Sequence, residues 1–393
     1  MIRGVPRVLL LVPTATYRAP DFVRAARALG IELIVGSEEP PAIGGRAVTV
    51  PLDTPDDAVG VIERLDDGRG VDAVVAVDDQ GVLLAAAAGA RLGFPHNPPD
   101  AVAATRDKRA MRERLAAGEV AQPAFGDAPE DVGYPCVVKP TGLAGSRGVI
   151  RCDDAGEFDA AVARIRAFWD GPLIVEAFVP GREVAVEAIL QDGDLTTLAV
   201  FDKPDPLDGP YFEETIYVTP SRLPDPVLAD VERLVARGAT AIGLIEGPVH
   251  AEVRVDPTVT PPRLALVEVA ARTIGGLCAR TLQFGAGIAL EEVVLRHALG
   301  MDLGDLDRAA GAAGVMMLPI PGGGVLQGVG GRDAALAVDG VVGLEITVPV
   351  GHAVVPLPEG DRYLGFLFAR ADTPDAVEAA LRAGADALDI VVS

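Results

Sequence analysis

Lysine is used three times in this chain, as Lys108, Lys139 and Lys203, while arginine supplies the remaining fixed positive charge. Lys139 ends an apolar run, Val137-Val138, and opens onto Pro140-Thr141-Gly142-Leu143-Ala144-Gly145-Ser146-Arg147-Gly148. Glycines let successive backbone N–H groups turn toward a phosphate chain, and an ammonium neutralises it as a point charge. This is not a Walker A loop, because no Gly-Lys-Ser/Thr closes it and a strand, not a helix, is expected next. Read alone, a Gly-rich hairpin is as often an ordinary turn. A second segment, 173–187, places Glu176 and Glu183 at either end of a strand–turn–strand hinge containing Phe178 and Val179. An apolar slot with backbone hydrogen bonds suits a purine, and a carboxylate suits ribose hydroxyls; a solvated hairpin is the alternative.

A third constellation joins His250-Ala251-Glu252 to Glu268-Val269-Ala270-Ala271-Arg272-Thr273-Ile274-Gly275-Gly276. Each of two apolar strands carries one glutamate. Buried carboxylates are expensive unless they share a cation, and Mg²⁺ held against substrate phosphates fits that need. Arg272 is placed to stabilise developing negative charge, or else to close a structural salt bridge to a glutamate. His250 is either a satisfied core histidine or a group that meets substrate.

The elements that must position these residues follow from periodicity. Apolar runs at 8–12, 31–35 and 73–77 read as buried parallel strands, with helices over 20–29 and 82–92 between them. This βαβ pattern predicts a doubly wound parallel sheet, without a dinucleotide fingerprint. Thr105 is expected to cap a helix over 106–117. Strands follow at 136–139, 148–151, 173–178, 183–191 and 195–201, with a helix over 158–168 and an Asp192-Gly193 hairpin turn. Residues 203–209, rich in Pro, Asp and Gly, read as a mobile loop. A helix over 226–242, strands at 249–255 and 264–270, and a closing helix (374–383) and strand (388–392) complete the pattern.

Composition narrows the function. The chain has 393 residues and a formal net charge of -23, which argues against nucleic acid or an anionic membrane as partner. A long uncharged apolar run is missing, so no transmembrane helix is expected. Three cysteines without C-x-x-C spacing fit a reducing cytoplasm, and neither a disulfide framework nor a zinc site.

Taken in order, these motifs resemble the ATP-grasp ligases over nearly the whole chain. Thr105 to Arg112, with Lys108, is similar to that family's helix carrying the first ATP lysine, and Val138-Lys139-Pro140 to the second. Gly142 to Val149, with Gly145, Ser146, Arg147 and Gly148, is similar to the loop closing over the phosphates. Glu176 with Phe178 and Val179 resembles the adenine hinge, and Glu183 the ribose-binding glutamate. Glu252 and Glu268 match the magnesium carboxylates, and Arg272 the arginine that stabilises acyl-phosphate and tetrahedral species. Lys203 resembles a loop lysine delivered to the γ-phosphate. His250, Gly275 and Gly276 are expected beside the substrate. Asp107-Lys108, the loop, 268–276 and the C-terminal portion resemble the L-amino-acid ligase branch most. One departure is Ala270, where many relatives place an asparagine as a further metal ligand.

The resemblance implies an α/β (α+β) ATP-grasp fold with an N-terminal doubly wound parallel-sheet domain (1–104). A two-lobed ATP-grasp domain (105–305, lid about 120–202) and a C-terminal α+β domain (306–393) would follow. It implies an ADP-forming carboxylate–amine ligase that uses ATP with Mg²⁺, expected as two ions and replaceable by Mn²⁺. Amino acids or small acids and amines are the expected substrates, and the enzyme is expected to be cytoplasmic and a homodimer. The alternatives are a purine-pathway-like or carboxylating relative, and an ATP-binding protein without turnover.

Overall fold

The computed structural model describes residues 4–13, 16–39, 46–63, 65 and 69–393. Its N-terminal part runs β1 (Arg7–Leu11), α1 (Ala19–Leu29), β2 (Glu32–Ser37), β3 (Arg46–Thr49), α2 (Pro55–Glu63), β4 (Ala73–Ala76) and α3 (Val82–Leu92). The four strands are parallel, in the order β3-β2-β1-β4. Alternate residues of β1 serve two cores: Val8 and Leu10 pack on α1, while Leu9 and Leu11 pack on α2 and α3. That two-sided burial is why the strand reads as an unbroken apolar run. β3 and α2 do not appear in the sequence reading; β3 is a short edge strand with only alternate residues covered.

Two helices then abut, α4 (Pro99–Thr105) and α5 (Lys108–Ala117). Thr105 is not the cap expected of it. Its hydroxyl donates back to the Val102 carbonyl, and Asp107, whose backbone is extended, accepts from the Ala110 N–H at 2.9 Å. An N-cap needs that extended backbone, so α5 starts two residues later than expected, with Lys108 as its first residue.

The small lobe comprises β5 (Phe125–Gly126), α6 (Pro129–Val132), β6 (Cys136–Pro140), β7 (Ile150–Cys152), α7 (Ala155–Arg166) and β8 (Leu173–Ala177). Its sheet, in the order β5-β8-β6-β7, packs on α7 through Val138, Ile150, Val175 and Ile165. The large lobe begins with β9 (Arg182–Gln191) and β10 (Asp194–Lys203). Both residues of the turn between them, Asp192 and Gly193, have positive φ (51° and 87°), as a primed hairpin turn requires. β11 (Ile216–Thr219), α8 (Asp225–Ile242), β12 (Gly247–Asp256) and β13 (Arg263–Ala270) follow, then β14 (Gln283–Phe284), β15 (Ile288–Ala289) and α9 (Leu290–Ala298). α9 returns to the first sheet, where Val294 and Leu295 join the α1 core.

The last part holds β16 (Ala312–Leu318), β17 (Gly324–Gly330), α10 (Arg332–Leu336), β18 (Val341–Ile346), β19 (Ala353–Val354), β20 (Gly365–Ala371), α11 (Pro374–Asp386) and β21 (Asp389–Val392). Three of its strands continue the large sheet, in the order β13-β12-β9-β10-β11-β16-β20-β18. Two expectations change here. The separate small sheet ends at Ala177, so 182–203 lies outside the lid expected over about 120–202, because β9 and β10 pair with β12 and β11. Lys203 does not start a mobile loop: it is the last residue of β10, paired in register with Glu183. No helix among the described residues is long and apolar enough to cross a membrane.

Candidate active site

The two lobes face each other across one cleft. One wall is cationic. α5 brings up Lys108, whose backbone N–H donates to the Thr141 carbonyl at 2.9 Å and whose ammonium donates to the Leu143 carbonyl. Burial lowers the affinity of Lys108 for its proton, and Glu268 across the cleft partly restores it. β6 brings up Lys139, 2.7 Å from the Glu176 carboxylate, whose other oxygen lies 2.7 Å from Arg112 Nε.

Glu176 and Arg112 are almost wholly enclosed, at 1% and 0% exposure. Burial alone would raise the Glu176 carboxyl; Arg112 and Lys139 overcome it and hold it at about 2. The carboxylate expected at an adenine hinge is therefore taken by two cations, and the hinge keeps the 177–179 stretch, which lines the cleft. Glu176 contributes stability that is fully present above the unfolded value near 4.5 and is lost as pH falls through about 2. Glu176→Gln should remove about 3 kcal/mol of stability at neutral pH. It should also flatten the loss of stability between pH 4.5 and 2, read by urea unfolding across that range. An unchanged acid profile would contradict this reading.

The loop after β6 turns where Gly145, Ser146 and Gly148 take φ of 65°, 57° and 71°. At Gly148 a Cβ would sit 2.8 Å from the Pro140 ring, so glycine is required there. Gly145 and Ser146 line the cleft. Arg147 and Gly148 do not. Arg147 lies over the Phe168 ring at 5.1 Å, and Gly148 N–H donates to the Pro358 carbonyl at 2.9 Å.

The opposite wall is acidic. Glu252 on β12 and Glu268 on β13 are register partners, so adjacent strands present the expected pair together. The tightest cluster, however, is Glu183, Glu214 and Glu252, with one oxygen of each within 4.8 Å of the others. Lys203 Nζ joins them, at 2.7, 2.5 and 2.7 Å respectively. Burial would strip Lys203 of its proton, but the three carboxylates hold it well above its ordinary value. The Arg254 guanidinium lies 3.7 Å from Glu183 and the His250 ring 3.7 Å from Glu252, so three carboxylates share cations from several sides. Burial and the neighbouring Glu252 push the Glu214 carboxyl up to about 7, despite Lys203. An all-oxygen donor set of three carboxylates fits a hard divalent cation such as Mg²⁺. Ala270 offers no ligand and is buried opposite His250.

A third group lies beside the acidic wall. His250 Nδ1 meets Glu187 Oε1 at 2.6 Å, and its Nε2 is 3.7 Å from Glu252. Burial disfavours the imidazolium, but the bonds to Glu187 and Glu252 reverse this and raise His250 to about 9. It thus holds its proton at neutral pH and bridges two carboxylates. Arg272 Nε is 3.0 Å from Asp79, in the turn after β4, and Nη1 donates to the Thr273 carbonyl at 2.9 Å. Its structural partner is an aspartate of the first sheet, not a glutamate. Arg18 grips the same stretch, donating to the Val77 carbonyl and the Thr273 hydroxyl. Gly276 (φ 60°) lies against Phe366, where a Cβ would come within 2.6 Å of the ring, whereas Gly275 faces open space.

Of the residues expected from sequence, Lys108, Lys139, Gly145, Ser146, Glu176, Phe178, Val179, Glu183, Glu252 and Glu268 line one cleft. Lys203 lies behind its acidic wall; Arg272, His250, Gly275 and Gly276 form the adjoining group. Asp79, Arg112, Glu187 and Glu214 were missed. Asp79 had a readable signal, since ligands of open parallel sheets gather at the carboxyl ends of strands. Glu187 had none beyond being a charge among apolar neighbours, and Arg112 had none, lying in a helix rich in charged residues.

The cleft's two walls suit a triphosphate and a cation: lysines and a Gly-rich loop on one side, carboxylates on the other. The description "ATP-grasp domain" matches residues 132–281, "ATP-grasp N-terminal domain" matches 23–96, and "L-amino acid ligase C-terminal domain 2" matches 316–393. The Alanine--anticapsin ligase of Bacillus subtilis (strain 168) is 25% identical over 56% of this chain and 52% of its own length. The chain thus spans about half the length of the alanine–anticapsin ligases it matches. Protein y4rH of Sinorhizobium fredii is 23% identical over 98% of this chain and 83% of its own length. The crystal structure of L-amino acid ligase from Bacillus licheniformis superimposes with a TM-score of 0.82 at 24% identity, covering 100% of both chains.

Proposed function

This chain belongs to the ATP-grasp superfamily of carboxylate–amine ligases, close to its L-amino acid ligase branch, and from that premise we propose that it joins two amino acids, or a small acid and a small amine. The amide bond would form at the expense of ATP, with ADP and phosphate as products. The observation that carries the reading is Lys108 and Lys139 facing Glu252 and Glu268 across one cleft.

A carboxylate is a poor electrophile because oxide is a poor leaving group, so activation comes first. A carboxylate oxygen attacks the γ-phosphorus and ADP departs; the amine nitrogen then attacks the acyl carbon, a proton is lost and phosphate leaves. Lys108 and Lys139 offset charge on the phosphates, and Gly145 and Ser146 offer the loop that covers them. Phe178 and Val179 flank the adenine, and Glu183 receives the ribose hydroxyls once a nucleotide draws it from Lys203. Arg272 stabilises negative charge on the acyl phosphate and the tetrahedral adduct, with Asp79 fixing its direction. Lys203 reaches the γ-phosphate side of the acidic cluster. His250 holds Glu252 in place, and Gly275 and Gly276 border the acid being activated. Mg²⁺, as two ions replaceable by Mn²⁺, would be held through Glu252, which belongs both to the cluster with Glu183 and Glu214 and to the register pair with Glu268, and would neutralise the triphosphate and polarise its γ-phosphoryl group.

The net charge of -23 supports small-molecule substrates and no nucleic-acid partner. Three unpaired, buried cysteines support a cytoplasmic setting. The family resemblance supports a homodimer, which sedimentation would check. The direct test supplies ATP, Mg²⁺ and a panel of amino-acid pairs, with phosphate release and product mass read together. Release that depends on a pair, with a product mass of the sum minus water, is expected. Release that needs bicarbonate and no amine would favour a carboxylating enzyme, and ATP binding without ADP formation a non-catalytic one.

A further inference from the structure

The small lobe does not hang free above the cleft. A turn of the C-terminal part holds it at the phosphate loop and at α7. Gly148 N–H donates to the Pro358 carbonyl at 2.9 Å, and Arg147 Nε to the Glu359 carbonyl at 3.0 Å. Arg164, on α7, takes the Glu359 carboxylate with two nitrogens, Nη2 to Oε2 at 3.0 Å. Its guanidinium also lies over the Tyr211 ring, 5.0 Å from the centroid. A two-pronged guanidinium–carboxylate pair fixes orientation as well as distance.

The same turn leads directly to the substrate side. Residues 358–366 run from this contact to Tyr363, whose carbonyl accepts from the Thr347 hydroxyl at 3.1 Å, and on to Phe366. Phe366 packs on Tyr363 and Tyr17 with centroids at 6.2 and 5.4 Å, and against Gly276, four residues beyond Arg272. One short stretch therefore touches the ATP lid at one end and the floor beside Arg272 at the other.

We propose that Arg164 and Glu359 are positioning residues that latch the phosphate loop shut while an activated acid awaits its amine. The proposal rests on the ligase reading above. An acyl phosphate reacts with whichever nucleophile arrives first. Amine attack gives the amide and phosphate. Water attack regenerates the carboxylate and releases phosphate, so that ATP and water have become ADP and phosphate with nothing joined. A lid held from the substrate side ties exclusion of water to a formed acid site. The Gly148–Pro358 bond is made by backbone and survives substitution, so the side-chain pair is the part that can be removed. Both partners are half-exposed, at 42% and 33%, so the effect is bounded at about five-fold.

The test compares wild type with Glu359→Gln, Arg164→Lys and the charge-exchanged double variant Arg164→Glu/Glu359→Arg. ADP and amide are measured in the same reaction, and dissociation of a fluorescent ADP analogue is measured without turnover. Both single variants should raise the fraction of ATP hydrolysed without amide, and the ADP off-rate, by about five-fold, and the exchange should restore them. A merely structural role would lower total turnover and leave the ADP-to-amide ratio alone. Ratio and off-rate unchanged in both single variants would overturn the latch. A wild type that forms no ADP with any pair would refute the ligase reading instead; the off-rate would still decide the latch.

Discussion

Lys203→Met is expected to cost about 3–5 kcal/mol of stability in a chelator, the penalty for leaving buried carboxylates without their cation. Lys203 Nζ is held within 2.7 Å of Glu183, Glu214 and Glu252, and methionine fills the same space without charge. The loss should be larger at pH 8 than at pH 6, because the Glu214 carboxyl, raised to about 7 mainly by burial, ionises between those values. Mg²⁺ should return part of the stability to the variant and add less to wild type, since a divalent ion can take over the vacated role. Urea unfolding at two pH values, with and without Mg²⁺, checks each part. Turnover should fall far more than ADP affinity. An equal stability loss with and without Mg²⁺ would remove the cation role from this cluster.

Arg272→Ala is expected to lower turnover by about 10²–10³-fold with little change in ATP affinity, the scale of removing one donor aimed at a developing oxyanion. Arg272 does not belong to the cleft walls that fit the nucleotide, so its loss should leave binding nearly intact. Its partner offers a graded comparison. Asp79→Asn keeps the arginine and loosens its aim through the 3.0 Å contact, and about ten-fold is expected. Steady-state kinetics alongside calorimetric ATP titration separates the two effects. A change confined to KM, or a parallel collapse of ATP affinity, would move Arg272 out of the chemical step.

Much of this site could be read from residue types and spacing. Glu252 and Glu268 stand out as the one glutamate of each of two largely apolar strands, and β12 and β13 make them register partners. The turn after β6 is legible because its glycines, Gly145 and Gly148, occupy positions where φ is positive. Strands β1, β2 and β4 of the first sheet are legible as apolar runs because both of its faces are covered, whereas the half-covered edge strand β3 is not. What escaped depends on distant pairings. Lys203 follows an apolar strand and precedes prolines, which looks like a loop; only its pairing with Glu183 extends β10 to include it. Glu176 and Glu183, expected to face the nucleotide directly, each carry a cation whose identity is set by tertiary approach. Arg112 reaches Glu176 from a helix 64 positions earlier, and no local pattern encodes that distance.

The continuous eight-stranded sheet bears on how such a chain can be altered in evolution or by design. β11 hydrogen-bonds β10 of the large lobe on one side and β16 of the C-terminal part on the other. The C-terminal part is therefore not a module clipped onto a finished enzyme. Its removal would strip β11 of a partner and bare an edge ready to pair with another chain. A graft from a relative, made to change which acid or amine is accepted, must match two seams at once: the β11–β16 register and the Pro358 turn. On the proposed reading, which puts Gly276 beside the acid, exchange of single side chains around Gly276 and Phe366 leaves both seams intact and is the more permissive route to new substrates.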